Sequence, residues 1–159
     1  MTRGLAFTVL AVAVALAGSA SAATYANARF GYWIDYPADL IVPGRESDNG
    51  DGREFHAQGG TVRIATWGEY NALDQTPGQL AQVSEKDCQS GKIAYHVAKS
   101  RLVAFSCVMP GGRILYQKTL IGGDVLATVR FEYPSAERAK WDPVVNRVAG
   151  SLRLRPVAP

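Results

Sequence analysis

Between Lys92 and Pro134 the chain repeats one pattern four times: a run of alternating side chains, then a turn. Ile93, Tyr95 and Val97 alternate before Lys99-Ser100. Val103, Phe105 and Cys107 alternate against Leu102, Ala104 and Ser106 before Met109-Pro110-Gly111-Gly112. Ile114, Tyr116, Lys118 and Leu120 lead to Gly122-Gly123-Asp124, and Val125, Ala127, Val129 and Phe131 lead to Tyr133-Pro134. A period of two sends successive side chains to opposite faces of a strand, and glycine supplies the positive φ of tight turns. Four such runs in series predict an antiparallel meander and commit the second half of the chain to a sheet.

The first half adds shorter elements. Arg29-Phe30-Gly31-Tyr32-Trp33-Ile34-Asp35-Tyr36-Pro37 predicts a strand with Phe30, Tyr32, Ile34 and Tyr36 on one face and Trp33 and Asp35 on the other. Pro37 has no N–H to give a ladder and ends it. Ala23–Ala28 reads as a lead-in, and Leu40-Ile41-Val42 as a brief strand closed by Pro43-Gly44. Glu54–Ala57 and Thr61–Gly68 predict a hairpin through Gly59-Gly60. Two helix starts follow the same rule, a capping side chain and then proline at the first helical position. Thr76-Pro77 opens a helix to about Lys86, with Leu80 and Val83 apolar. Asp142-Pro143 opens another, with Val144, Val145 and Val148 apolar and Gly150 as its left-handed end. The class is α+β, with no linker and no repeat of fixed period.

The N-terminus predicts export. Arg3, an apolar run from Leu5 to Ala17 and the small pair Ala20-x-Ala22 have the layout of a secretory signal peptide. The run of about 13 residues is too short for a membrane span, which needs about 20. The expected division is a signal peptide over 1–22, one globular domain over 23–155 and an unstructured tail over 156–159. The cut falls after Ala22, and a lipid anchor would need a cysteine where Ala23 stands. The mature protein is expected in the periplasm or secreted, with no stable membrane insertion. Cleavage leaves 137 residues, enough for one core. With Arg3 gone, 16 basic residues face 14 acidic ones, and the basic residues form no run. That distribution argues against nucleic-acid binding.

Cys88 and Cys107 are the only cysteines. In an oxidising compartment such a pair forms a structural disulfide. The alternatives fit less well, because a redox pair wants C-x-x-C and zinc wants more ligands. Pairing the first meander hairpin about Lys99-Ser100 puts Cys107 opposite Lys92 or Ile93. Cys88 is then close enough for the bridge to pin the end of the first helix to the sheet.

Candidate chemistry is sparse. Asp48-Asn49-Gly50-Asp51-Gly52 superficially resembles a calcium loop, but glycines stand at alternate ligand positions and Gly59 occupies the twelfth. It reads as an exposed turn, and no metal is assigned. His56 and His96 fall on different predicted strands, and only Glu54 is a near carboxylate for His56. There is no G-x-S-x-G, phosphate-binding loop or H-E-x-x-H, so no catalytic residue and no cofactor is assigned. Trp33 lies on the strand face opposite Tyr32, near the polar loop. Glu46, Asp48, Asn49, Asp51, Arg53 and Trp33 therefore form the expected interaction surface.

Phe30-Gly31-Tyr32-Trp33-Ile34-Asp35-Tyr36-Pro37, followed by an apolar piece and a proline, resembles the opening of PsbP-like domains. These include the extrinsic accessory protein of photosystem II, a nuclear-import cofactor that binds the Ran GTPase, and bacterial envelope proteins of the DcrB type. The order of short strands, a helix, a long meander and a C-terminal helix over Asp142–Leu152 continues the resemblance through nearly the whole mature chain. It implies an α/β/α sandwich, a central antiparallel sheet flanked by helices, that binds other macromolecules without catalytic residues. The disulfide is not part of that pattern. The expected function is an exported, non-catalytic binding or accessory protein of the cell envelope, acting through contacts with another envelope protein. The alternatives are a small hydrolase or ligand-binding protein using His56 or His96, and an inhibitor or immunity-type protein.

Overall fold

The computed structural model describes residues 21–155. The expected signal segment as far as Ala20 and the expected tail 156–159 lie outside the described residues. Two antiparallel sheets account for most of the rest.

The smaller sheet departs from expectation at its first turn. Strand β1 spans Ala22–Asn27 and pairs with β2, Tyr32–Pro37, in a register that sets Ala26 opposite Trp33. The residues read as a lead-in are thus a strand, and Arg29–Gly31 belongs to the turn. Asn27 makes that turn. Its buried side-chain oxygen accepts the Phe30 N–H at 2.9 Å, and its carbonyl accepts the Gly31 N–H at 3.0 Å. Gly31 sits at φ +64°, where a side chain is disfavoured. In β2, Tyr32 and Ile34 are buried and Asp35 is exposed, as the alternation predicts. The two-residue β10, Arg153–Leu154, completes this sheet on the other side of β2.

The larger sheet has seven strands. They are β3 (Ile41–Glu46), β4 (Gly52–Ala57), β5 (Arg63–Tyr70), β6 (Lys92–Lys99), β7 (Leu102–Met109), β8 (Arg113–Gly122) and β9 (Val125–Pro134). Their order is β3-β4-β5-β9-β8-β7-β6, so the β6–β9 meander and the β3–β5 meander join where β5 pairs with β9. Strand β3 runs through Pro43-Gly44 as far as Glu46, with an irregular register there. Pro43 is tolerated because β3 is an edge strand.

Alternation gives this sheet two distinct faces. Phe55, Ala57, Ile64, Val129, Phe131 and Tyr133 point to one face and pack with Tyr25, Tyr32 and Ile34 of the small sheet and with the C-terminal helix. Val103 and Leu126 point to the other face and pack with Leu80 and Ala81. The first helix, α1 (Pro77–Glu85), starts with the expected device. The Thr76 hydroxyl accepts the Gln79 N–H, and the Gln79 side chain accepts the Thr76 N–H. Its main sheet contacts are with β6 and β7, with Leu126 of β9 and Ile121 of β8 packed at its edge.

The second helix corrects the sequence reading. α2 runs from Arg138 to Ser151, so Pro143 is inside it, not at its first position. Proline in a helix costs a hydrogen bond to the preceding turn. Burial of Trp141, 1% exposed, outweighs that cost, and its Nε1 donates to Glu137 at 2.9 Å. Gly150 stays helical, because the chain turns out only at Leu152 (φ −54°, ψ 125°), which is itself buried.

Cys88 and Cys107 form a disulfide with 6.1 Å between their Cα atoms. Cys107 lies opposite Ile93 in the ladder. Cys88 ends a short 3-10 turn, Lys86–Cys88, that continues α1. The bridge is buried with Phe105 and Leu115, so it ties the end of α1 to the sheet.

Several tyrosines are buried enough for their ionisation to report on folding. Desolvation pushes Tyr116 up to about 12, with a smaller contribution from the neighbouring Tyr95. Burial raises Tyr32 and Tyr133 further, the latter helped by the Asp142 carboxylate. The folded-state pKa values lie above the unfolded value of about 10, so the unfolded chain loses protons first as pH rises. The tyrosines' contribution to stability is therefore expected to be constant below pH about 10 and to fall as pH rises above about 10. Ultraviolet tyrosinate titration beside denaturant melts at each pH checks this. A melt midpoint unchanged to pH 12 would contradict it.

Candidate functional site

Helix α1 lies mainly over the β6–β7 side of its sheet face. Toward β3 the same face is open, and the cross-strand rows there are legible from register. One row reads Gly52, Trp67, Thr128, Thr119; the next Glu54, Ala65, Arg130, Gln117; the third His56, Arg63, Glu132, Leu115. Gly52 and Ala65 lack bulk, so the sheet surface sinks between the larger side chains. The result is a trough of about 620 Å³ whose sides include Arg45, His56, Arg63, Trp67 and Arg130. A second hollow of about 380 Å³ continues it beneath the loop from Arg45 to Gly52. Gly52 cannot be larger, since a Cβ there would lie 1.9 Å from the Thr66 carbonyl oxygen.

Arg130 is the best-fixed side chain of the trough. Its Nε donates to Gln117 Oε1 at 2.8 Å, its Nη2 reaches Asp87, and its guanidinium lies 5.3 Å from the centre of the Trp67 ring. Asp87 precedes Cys88, so the disulfide holds the carboxylate that holds Arg130. Guanidinium over an indole face is favourable, by about 0.5–1 kcal/mol when exposed. Trp67 Nε1 donates to Glu69 at 3.0 Å.

The polar loop is an ordered structure. The Ser47 hydroxyl accepts the N–H groups of Asp51 and Gly52, both at 3.0 Å, and Asn49 Nδ2 donates to Asp51 Oδ2 at 2.8 Å. Gly50 takes φ +67° at the tip. The β1–β2 turn braces the loop from behind: Asn27 Nδ2 donates to the Gly50 carbonyl at 2.9 Å and the Tyr32 hydroxyl to that of Asp51 at 3.0 Å. Ser47, then Asn49 and the Arg29 charge, hold the Asp51 carboxyl below the usual carboxylate range. Glu46 accepts from Arg53 at 2.9 Å and from the Tyr25 hydroxyl at 3.0 Å, while Arg45 pairs with Asp48.

Of the residues expected at an interaction surface, Glu46, Asp48, Asn49, Asp51 and Arg53 thus come together at the loop. Trp33 does not join them. Alternation in β2 turns Tyr32 toward the loop and Trp33 to the far side of the small sheet, beside Ala26 and Arg153. The aromatic of the trough is Trp67, and its visible signal was that Arg63, Ala65 and Trp67 share the strand face opposite Val62 and Ile64. Arg130 carried no signal beyond its place opposite Val129 and Phe131.

The histidines lie apart. His56 lines the trough, and among the described residues it hydrogen-bonds no carboxylate. His96 pairs with Glu85 of α1 at the surface. Among the described residues no three His, Cys, Asp or Glu side chains gather in a way that could hold a metal ion.

Comparison with known proteins bears on the fold. No protein-family model matches the sequence, and no curated protein matches it. The solution structure of cyanobacterial PsbP (CyanoP) from Synechocystis sp. PCC 6803 superposes with a TM-score of 0.61, over 91% of this chain and 98% of that one, at 13% identity. The fold is PsbP-like. A crystal structure from Bacteroides thetaiotaomicron matches at TM-score 0.52 and 13% identity, over 83% of this chain and 48% of its own. LpqN, involved in cell envelope biogenesis of Mycobacterium tuberculosis, matches at 0.43 and 12% identity over 89% and 88%, a likeness too slight to build on.

Proposed function

We propose that the chain is an exported, non-catalytic accessory protein of the cell envelope, and that it binds another envelope protein through the trough on β3, β4, β5 and β9. The carrying observation is the half-covered sheet. One helix shields β6 and β7, and the remaining face is concave, lined by charged side chains and one tryptophan, and braced by a pinned loop. Aromatic and arginine side chains fixed before binding are what protein-binding surfaces use as anchors, because little side-chain freedom is then lost. The bridged cysteines support a location outside the cytoplasm. Among the described residues no helix is long and apolar enough to cross a membrane. The periplasm is the compartment that fits the predicted signal peptide. The finer architecture we read as an α/β/α sandwich, with α1 and α2 on opposite faces of the large sheet and the small sheet beside α2.

Photo-crosslinking in living cells tests the reading. Benzoylphenylalanine in place of exposed Glu54, on the trough, is expected to form a discrete adduct with one envelope protein. The same group in place of Trp33, on the far side of the small sheet, is expected to form none. Adducts from both positions, or from neither, would refute a binding role for the trough.

A further inference from the structure

The opposite face of the large sheet carries a second recess, remote from the trough, beyond the edge of α2. Its floor is one cross-strand row: Tyr95, Ser106, Tyr116, then Phe131 beneath the helix. Ser106 is the small member, so a gap opens between the two tyrosine rings. A register irregularity between Ile93 and Tyr95 aims Tyr95 at this gap, a common use of a bulge. Tyr95 is 47% exposed and forms the outer rim. The wall is a helical stripe of α2: Arg138, Asp142, Val145 and Asn146. The recess is open on one side and has a volume of about 370 Å³, within the range of ligand pockets, about 300–1,000 Å³.

The chemistry of the lining selects the ligand. The only cation, Arg138, donates to Asp142 at 2.9 Å, and Asp142 also accepts the Tyr133 hydroxyl at 2.8 Å. The recess is therefore charge-balanced, which disfavours a phosphate or carboxylate ligand. Among the described residues no protein group hydrogen-bonds the Ser106 hydroxyl, the Tyr116 hydroxyl or the Asn146 amide, and none of these is a sealed, orphaned atom. A purely apolar ligand would strip water from all three without replacing it, at about 1–3 kcal/mol for each. What fits is a neutral ring with hydroxyls at its edge and C–H groups on its faces. The faces lie against tyrosine, and the edge meets the hydroxyls and the amide.

We infer that the recess between Tyr95, Tyr116 and the Arg138–Asn146 stripe of α2 is a binding site for a neutral saccharide.

The full chain, isotopically labelled, can be titrated with maltose, cellobiose and N,N′-diacetylchitobiose, with glycerol as the small-polyol control. The inference predicts saturable amide shifts around Ser106, Tyr116 and Asn146 with at least one disaccharide, and none at Ala65 or Trp67. Tyr95→Ala and Asn146→Ala both change exposed side chains and are expected to fold. Each is expected to weaken the saturable disaccharide tenfold or more. Shifts from glycerol equal to those from the disaccharides, absence of saturation with all three, or undiminished affinity in both variants would overturn the inference. So would a Gly-Ser tetrapeptide that shifts the same amides while no sugar does, which would assign the recess to peptide.

Discussion

Trp141→Ala is expected to lower the free energy of unfolding by about 3–5 kcal/mol, the range for deleting a buried large aromatic. Trp141 is 1% exposed and belongs to the cluster in which α2 meets the small sheet and β9. Its ring fills the space that makes a helix through Pro143 worthwhile, and its N–H bond to Glu137 fixes the helix start. Losing it leaves a cavity against Val144, Val145 and Val148, none of which can collapse inward while held on the same rigid helix. Denaturant melts of the oxidised protein measure the loss. A change below about 1 kcal/mol would mean that α2 is held by something other than this packing.

The second large effect is expected from the disulfide. The bridge joins cysteines 19 positions apart, and in the chain-entropy model its removal costs about 3 kcal/mol through a freer unfolded chain. Cys88→Ala/Cys107→Ala is the clean comparison, because both sulfurs are buried among Phe105 and Leu115. A consequence at the trough distinguishes this from simple loosening. Asp87 adjoins Cys88, so the variant is expected to release Arg130 from its carboxylate and alter the fluorescence of Trp67, over which Arg130 lies. Asp87→Asn should reproduce the fluorescence change without most of the stability loss. A spectrum at Trp67 identical in both variants and the parent would contradict the proposed link between bridge and trough.

The parts of the fold that could be read in advance share one cause. The β6–β9 meander and the Gly59-Gly60 hairpin depend on local alternation and on glycine φ, and both are written in neighbouring residues. Thr76-Pro77 likewise carries its helix start in four residues. Misreadings arose where distant contacts decide. Ala22–Asn27 shows only Tyr25 and Asn27 to the core, too little alternation to declare a strand, and it pairs because β2 lies beside it. At Asp142-Pro143 the local cap-then-proline signal competes with burial of Trp141 immediately before it, and burial wins. The loop residues of the site could be found as a polar run, yet the run suggested a free turn. Its order comes from Asn27 and Tyr32, far back in sequence. Trp67 and Arg130 meet only because β5 and β9 are neighbours, which no local pattern states.

The central claim is that the half-covered face of the large sheet binds an envelope protein. The most direct measurement is the photo-adduct from benzoylphenylalanine at Glu54, repeated in protein that also carries Trp67→Ala and Arg130→Gln. The account predicts one discrete adduct in the parent, lost when the two anchoring side chains are removed while the fold, judged by its melt, persists. An adduct of equal yield in the doubly substituted protein would contradict it.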